Sequence, residues 1–356
     1  MPEVVSRFTL MAHQLNERER RVLEAVIQAY VETAEPAGSR MIARRFGLGV
    51  SPATIRNTMS DLEEKGFLIH PHTSAGRIPT NMAYRVYVDS LMRVTPINDM
   101  ERGRLYEELS GTGTAIEAIL RRAAQVLGIL TQELGVALGP RLEEATLQHL
   151  DLIRMSAERL LLVMRLDGGA AQSVFVEVPG EIAEKVIAEV SRVLNERLSG
   201  LTLGEIRRDL AERLRDSGTG QDVSELLNIF LQEGDQIFDA LRPLSASPVL
   251  LGQASLLAEQ PEFSSGGNLR KLLALTDRPE ALGQLLRTHK SSAGISITIG
   301  NEHVDPNFSD FTVVTAEYHS GSLSGVIGVI GPTRMPYEKI VTLVTHTSSL
   351  ISDLLD

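Results

Sequence analysis

Ser51, Thr54, Arg56 and Asn57 fall within seven residues, SPATIRN, at the start of a helical pattern. At this spacing they make hydrogen bonds and form no bond-making constellation. An arginine fork matches the O6/N7 edge of guanine, an asparagine amide matches adenine, and Thr or Ala methyls suit thymine. Ser51 and Thr54 beside a helix N-terminus also suit phosphate. Between Pro36 and Ser60 stand four arginines (Arg40, Arg44, Arg45, Arg56) and no acid. The loop HPHTSAGRIPT follows, with His72, Thr73, Ser74 and Arg77. Together these are the candidate contacts to nucleic acid: Arg40, Arg44 and Arg45 for phosphate, Ser51, Thr54, Arg56 and Asn57 for the groove, His72, Thr73, Ser74 and Arg77 in the loop. Some of the arginines could instead face the acidic turn Asp61, Glu63, Glu64; the pattern leaves that open.

The elements that must hold these residues are legible nearby. Asn16 and Glu19 have the spacing of a capping box, and Val22, Leu23, Val26, Ile27, Tyr30 and Val31 repeat at helical period. Pro36 and Gly38 end that helix. Ser39 is placed to cap a second helix reaching Phe46, and Gly47-Leu48-Gly49 makes the turn. Ser51 caps a third helix with Pro52 at its first position, where the missing N–H costs nothing. Ile55, Met59 and Leu62 are its buried stripe, which leaves Ser51, Ala53, Thr54, Arg56, Asn57 and Thr58 outward. Gly66 stops it. Phe67-Leu68-Ile69 is a short strand, the polar loop is a wing, and a helix runs from Asn81 to about Arg93. This is the order of a winged helix-turn-helix, which lays one helix in the DNA major groove.

Beyond Pro96 a linker is expected, then a helix from Thr114 to about Glu133. Strand patterns cover 147–155, 160–166 and 173–178. Helical periods fill 182–230, strands resume at 295–299, 311–318 and 325–330, and a helix closes the chain over 337–355. More than a hundred residues between Val178 and Ile295 exceed any single crossover. A helical unit inserted into an α+β domain fits. Its amphipathic faces suit self-association, because a reader of this kind works with a twofold partner.

The chain has 356 residues and net charge −11, which alone speaks against a nucleic-acid binder. The distribution reverses that. Residues 1–95 hold 12 Lys+Arg against 10 Asp+Glu, and the remainder holds 23 against 36. Charge segregated in this way suits one module meeting phosphate while the rest stays soluble. No Cys is present, which excludes disulfides, thiol catalysis and Cys-based zinc sites and fits a reducing cytoplasm. No secretory leader and no membrane-spanning run of about 18–20 apolar residues is seen. His70 and His72 lack further ligands, so no metal is expected. Gly325, Gly328 and Gly331 recur every third residue without the phosphate-loop pattern, and close backbone packing accounts for them better. No P-loop, nucleophile elbow or acidic pair is found, so neither an enzyme nor a cofactor site is expected.

Taken together, the segments LNERERRVLEAVIQAYVETAEPAGSR, SPATIRNTMSDLEEKGFLIHPHTSAGRIPT, LLAEQPEF (256–263) and GVIGVIGPTRMPYEKIV (325–341) closely resemble the heat-inducible transcription repressor family, HrcA. The resemblance implies an α+β multidomain protein: a winged-helix DNA-binding domain (1–95), a GAF-like domain in two parts (96–180 and 263–356) and an inserted dimerising domain (181–262). It implies a homodimer on an inverted-repeat operator in double-stranded DNA upstream of chaperonin and DnaK-type operons, with the chaperonin as modulator. A ligand-sensing winged-helix regulator of another operon is the alternative.

Overall fold

The structure is a computed structural model that describes residues 15–72, 75–111, 116–140, 142–167, 171–215, 221–240, 249–264, 266–288, 294–321 and 323–355. Local signals set the first three helices. In α1 (Glu17–Thr33) the Asn16 side chain accepts the Glu19 N–H and the Glu19 carboxylate accepts the Asn16 N–H, both at 3.0 Å. α2 (Ser39–Phe46) starts one residue earlier than expected. Gly38 takes the cap position and no side chain caps it. Gly47 ends α2 in the left-handed region at φ 55°, where a Cβ would be strained. In α3 (Pro52–Glu64) the Ser51 hydroxyl accepts the Thr54 N–H at 3.1 Å, with Pro52 at the first position.

A two-strand antiparallel hairpin follows, β1 (Leu68–Ile69) and β2 (Ile78–Pro79). Its loop is tied back by paired backbone bonds between Ala37 and Arg77, at 2.9 and 3.0 Å. A Cβ on Gly76 would stand 2.4 Å from the Ala37 carbonyl oxygen. The close approach that Gly76 permits is therefore to the protein's own backbone. α4 (Asn81–Val86) continues through one π turn, Tyr87–Leu91. Leu23, Ile27, Ile42, Ile55, Met59, Leu62, Phe67 and Tyr84 are buried together and form the core of this head.

The body is a five-stranded antiparallel sheet in the order β7-β3-β10-β9-β8. Its strands are β3 (Leu134–Leu138), β7 (Val249–Leu251), β8 (Ile295–Ile299), β9 (Phe311–Ser320) and β10 (Leu323–Pro332). α6 (Ile116–Thr131) and α13 (Tyr337–Leu355) pack against this sheet, and their core is continuous with that of the head. A separate core cluster joins the sheet to α10 (Ala254–Ala258), α11 (Gly266–Thr276) and α12 (Pro279–Thr288). α5 (Asp99–Ser110) lies where a linker was expected. Its residues are mostly polar and only Leu105 and Leu109 are buried, so it has little apolar period to read. β3 and β7 also escaped the pattern: β3 is five wholly buried residues without alternation, and β7 is three residues long.

The remaining strands, β4 (Leu147–Ser156), β5 (Arg159–Leu166) and β6 (Ala171–Glu177), do not join the body sheet. They form their own antiparallel sheet, packed on α7 (Glu184–Leu198), α8 (Leu203–Leu214) and α9 (Gln221–Ala240) around a second core that also takes in Leu323 of β10. The chain leaves the body after β3 and returns at β7, and those two strands pair directly, Val136 with Leu251. Over its described residues, the unit inserted between β3 and β7 is thus strands plus helices. This corrects the expected split at residue 181 and the purely helical character of the insert. Residues 249–262, expected in the insert, belong to the body.

The three glycines of β10 are sites of close packing. Added Cβ atoms would stand 2.2 Å from the Tyr318 hydroxyl at Gly325, 2.1 Å from the Val314 carbonyl oxygen at Gly328 and 2.3 Å from Glu133 Oε2 at Gly331. Gly328→Ala should cost about 1–3 kcal/mol, since the neighbour is backbone and cannot yield. Urea unfolding measures this; an unchanged midpoint would contradict the packing account.

Candidate nucleic-acid interface

α3 turns Ile55, Thr58, Met59 and Leu62 inward. Thr58 had been expected outward. It is 4% exposed and its hydroxyl donates to the Thr54 carbonyl at 3.1 Å, so it is part of the helix packing. Ser51, Ala53, Arg56 and Asn57 are exposed, and Thr54 is half-buried with its hydroxyl 3.0 Å from that of Ser51. These are the first two turns of the helix, the end where uncovered N–H groups favour an anion.

The arginines divide into two groups. Arg40 and Arg44, four residues apart on one side of α2, are exposed, as is Arg56 on α3. Among the described residues none of the three has an acid within ion-pair distance. Arg45 pairs with Glu32 and lies over the Phe46 ring at 5.7 Å. Arg77 is turned away from solvent. Its side chain is 11% exposed, its Nε donates to Glu63 at 3.0 Å and its Nη2 donates to the Ser60 hydroxyl at 2.8 Å. The loop arginine expected to reach outward is instead a strut between hairpin and helix, and it answers the acidic turn. His70 stands 3.7 Å from the same Glu63 carboxylate. His72 is exposed; Thr73 and Ser74 lie outside the described residues. Among the described residues no three His, Asp or Glu gather as a metal site.

α3 is therefore polarised along its length. Its N-terminal turns carry Arg56 and no acid. Asp61 and Glu64 lie five and eight residues beyond Arg56, about 7.5 and about 12 Å along the axis at 1.5 Å per residue. Glu63 between them is matched by Arg77. Two further cations had not been picked out from sequence. Arg18 and Arg21, one turn apart on α1, are exposed and line a cleft of about 560 Å³ with Glu17, Leu48 and Val50, just before Ser51. The alternation ERERR hides them, because it reads as a solvated face.

Glu19 anchors this arrangement. Besides capping α1, it accepts both 2.8 and 2.9 Å bonds from the Lys65 ammonium at the end of α3. Burial opposes its charge. The Lys65 ammonium and the Asn16 N–H outweigh that and hold the carboxyl below its ordinary value.

The description "HrcA protein C terminal domain" matches residues 117–341, well over half of the chain. A heat-inducible transcription repressor HrcA of Chlorobium phaeobacteroides (strain BS1) is 40% identical over 353 residues, covering 96% of this chain and 99% of that protein. The chain belongs to the HrcA family. Another HrcA, from Geobacter sulfurreducens, is 37% identical over 343 residues, covering 96% of this chain and 98% of that one. The HrcA family match begins in α6, so it spans body and insert, while the full-length HrcA relatives extend over the head as well. A crystal structure described as a hypothetical protein at 2.2 Å resolution shares the fold, with TM-score 0.61 over 96% of this chain at 22% identity.

Glu19→Gln keeps a capping side chain and removes the charge. A carboxyl with a lowered folded pKa adds stability above its unfolded value and loses it as the pH falls through the folded one. At pH 7 the variant should be about 1–3 kcal/mol less stable than wild type. The gap should close in acid, below the ordinary 4.5. Denaturant unfolding at both pH values checks this; an equal gap in acid would sink the charge argument.

Proposed function

We propose that this HrcA-family protein is a repressor of heat-inducible chaperone operons that binds double-stranded operator DNA through its head. The head is read as a winged helix, with α3 as the recognition helix and the β1–β2 hairpin as the wing. One observation carries the reading. The N-terminal turns of α3 present Ser51, Arg56 and Asn57, and α2 presents Arg40 and Arg44, which among the described residues have no ion-pair partner, while Glu19, Glu32 and Glu63 are each matched by a cation. Arg56 and Asn57 then read base edges; Arg40, Arg44, Ser51 and Thr54 hold phosphates, with Arg18 and Arg21 flanking. Arg77 is left out of the contact set, since neutralising Glu63 occupies it.

The body is read as the GAF-like domain and the insert as the dimerising unit. The sheet of the insert supports the second reading. One face is buried on α7–α9; on the other, Ile153, Leu161 and Phe175 stand in one cross-strand row, with Ile153 and Phe175 exposed. A second copy covering that face would set two heads on an inverted repeat. Control by the chaperonin follows from the family resemblance, as does placement in the cytoplasm; among the described residues no helix is long and apolar enough to cross a membrane.

Arg56→Ala should weaken operator binding by about 1–3 kcal/mol and relax the preference at one base position. Arg44→Ala should weaken all sequences alike and lower the slope of log K against log salt by about 1. Gel shifts across a salt series separate the two. Operator affinity unaffected by either change would remove α3 and α2 from the interface.

A further inference from the structure

Two segments singled out in the sequence, LLAEQPEF and GPTRM, contribute nothing to the DNA-facing surface. They meet at the seam between head and body. α1 has no basic residue in its last turn. Of the carbonyls left over there, that of Tyr30 is taken by the Ala34 N–H at 2.9 Å. The carbonyl of Val31 is taken by Arg334 Nη1 at 2.7 Å, from 303 residues away. A cation at a helix C-terminus also offsets the negative end of the helix dipole.

Arg334 has little freedom to do anything else. Its Nε and Nη2 donate to the two oxygens of Glu262, the second at 2.9 Å, so the fork is held flat and its remaining arm is aimed at α1. Glu262 sits in the short 3-10 turn Pro261–Phe263, where the Phe263 ring stacks on Phe311 of β9 at 5.7 Å. The neighbouring Gln260 amide donates to Glu133 Oε2 at 2.9 Å and to the Gln132 carbonyl at 2.8 Å. Both halves of the clamp are therefore rooted in the body sheet.

The head has another, separate attachment. Arg85 of α4 donates to both oxygens of Glu302, at 2.7 and 2.5 Å, and to the Ile297 carbonyl at 2.6 Å. Tyr84 packs on Tyr337 with ring centroids 5.8 Å apart. This attachment keeps the head on the body. The Arg334 contact lies on a different helix and gives the head a second polar anchor, away from α4.

We propose that Arg334 and Glu262 are positioning residues that fix the tilt of the head on the body, and so fix which spacing between two half-sites a dimer accepts. The second clause rests on the DNA-binding dimer proposed above; the first does not. Neither residue touches DNA in this account, so binding of one head to one half-site is independent of them, whereas binding of two heads at once depends on the tilt.

Two variants test it. Arg334→Lys keeps the charge and loses the fork; Glu262→Gln keeps the shape and loses the orienting charge. The chain has no Cys, so spin labels can be placed at Asp61→Cys in the head and Glu280→Cys in the body, both exposed. Labelled chain is diluted into unlabelled chain so that only distances within one chain are read. Wild type should give one narrow distance and both variants a broad one, with unchanged circular dichroism. An equally narrow distribution in both variants overturns the positioning role, whatever happens on DNA. The second arm uses duplexes carrying an inverted repeat located by footprinting wild type upstream of a chaperonin operon, the same repeat with its spacer lengthened by two base pairs, and a single half-site. Wild type should prefer the native spacer at least tenfold. The variants should lose that preference while binding the half-site within about twofold of wild type. A variant that retains the spacer preference, or loses half-site and full-site binding together, contradicts the proposal. Failure of wild type to bind any of the three duplexes would count against the DNA-binding reading, and the label distances would still decide the clamp.

Discussion

A chain of net charge −11 that meets a polyanion as proposed needs one surface where most acids are compensated, and three ion pairs of the head serve that constraint. Three of the carboxylates near the basic surface are matched by cations, while Glu17 and Asp61 stay exposed. Glu63 is matched by Arg77, Glu32 by Arg45, and Glu19 by Lys65. The first two pairs are partly or wholly at the surface and add little to stability. Their effect is on the local field: each cancels a negative charge beside the surface proposed to meet DNA. The Glu19 pair is different, because its carboxylate is buried and also caps α1. It joins the start of α1 to the end of α3 and so sets how α3 lies in the head.

The same pairs explain why the head was readable from sequence and the roles of its arginines were not. Capping, helix starts and helix stops are local, and Asn16, Glu19, Ser51, Pro52 and Gly47 act as their types and spacing require. An ion pair across 14 residues, such as Arg77 with Glu63, leaves no local trace. Arg77 stands in a polar glycine-containing loop and looks free; it is the loop's position against α3 that removes it from solvent. Thr58 was misplaced for a smaller reason. It lies one residue from the stripe position Met59, close enough to the edge of the buried face for packing to decide its side.

Farther along, the strands of the insert were found in sequence and assigned to the wrong sheet. Alternation in β4–β6 reports that one face is buried, and it says nothing about which helices bury it. Only the pairing of β3 with β7 discloses that everything between them is an excursion from the body, and β3 carries no alternation at all. The spacing of Gly325, Gly328 and Gly331 was legible as close packing, but its partners come from Tyr318, Val314 and Glu133 and are known only once the sheet is assembled.

As proposed, a head that reads DNA with the basic end of α3 is carried on a body whose insert pairs two copies. Hydroxyl-radical footprinting of the purified protein on DNA upstream of a chaperonin operon tests that account most directly. Protection should appear as two symmetric half-sites, each centred on a major groove, and should fade steeply as salt is raised. A single asymmetric patch, or protection that persists unchanged through the salt series, would contradict it.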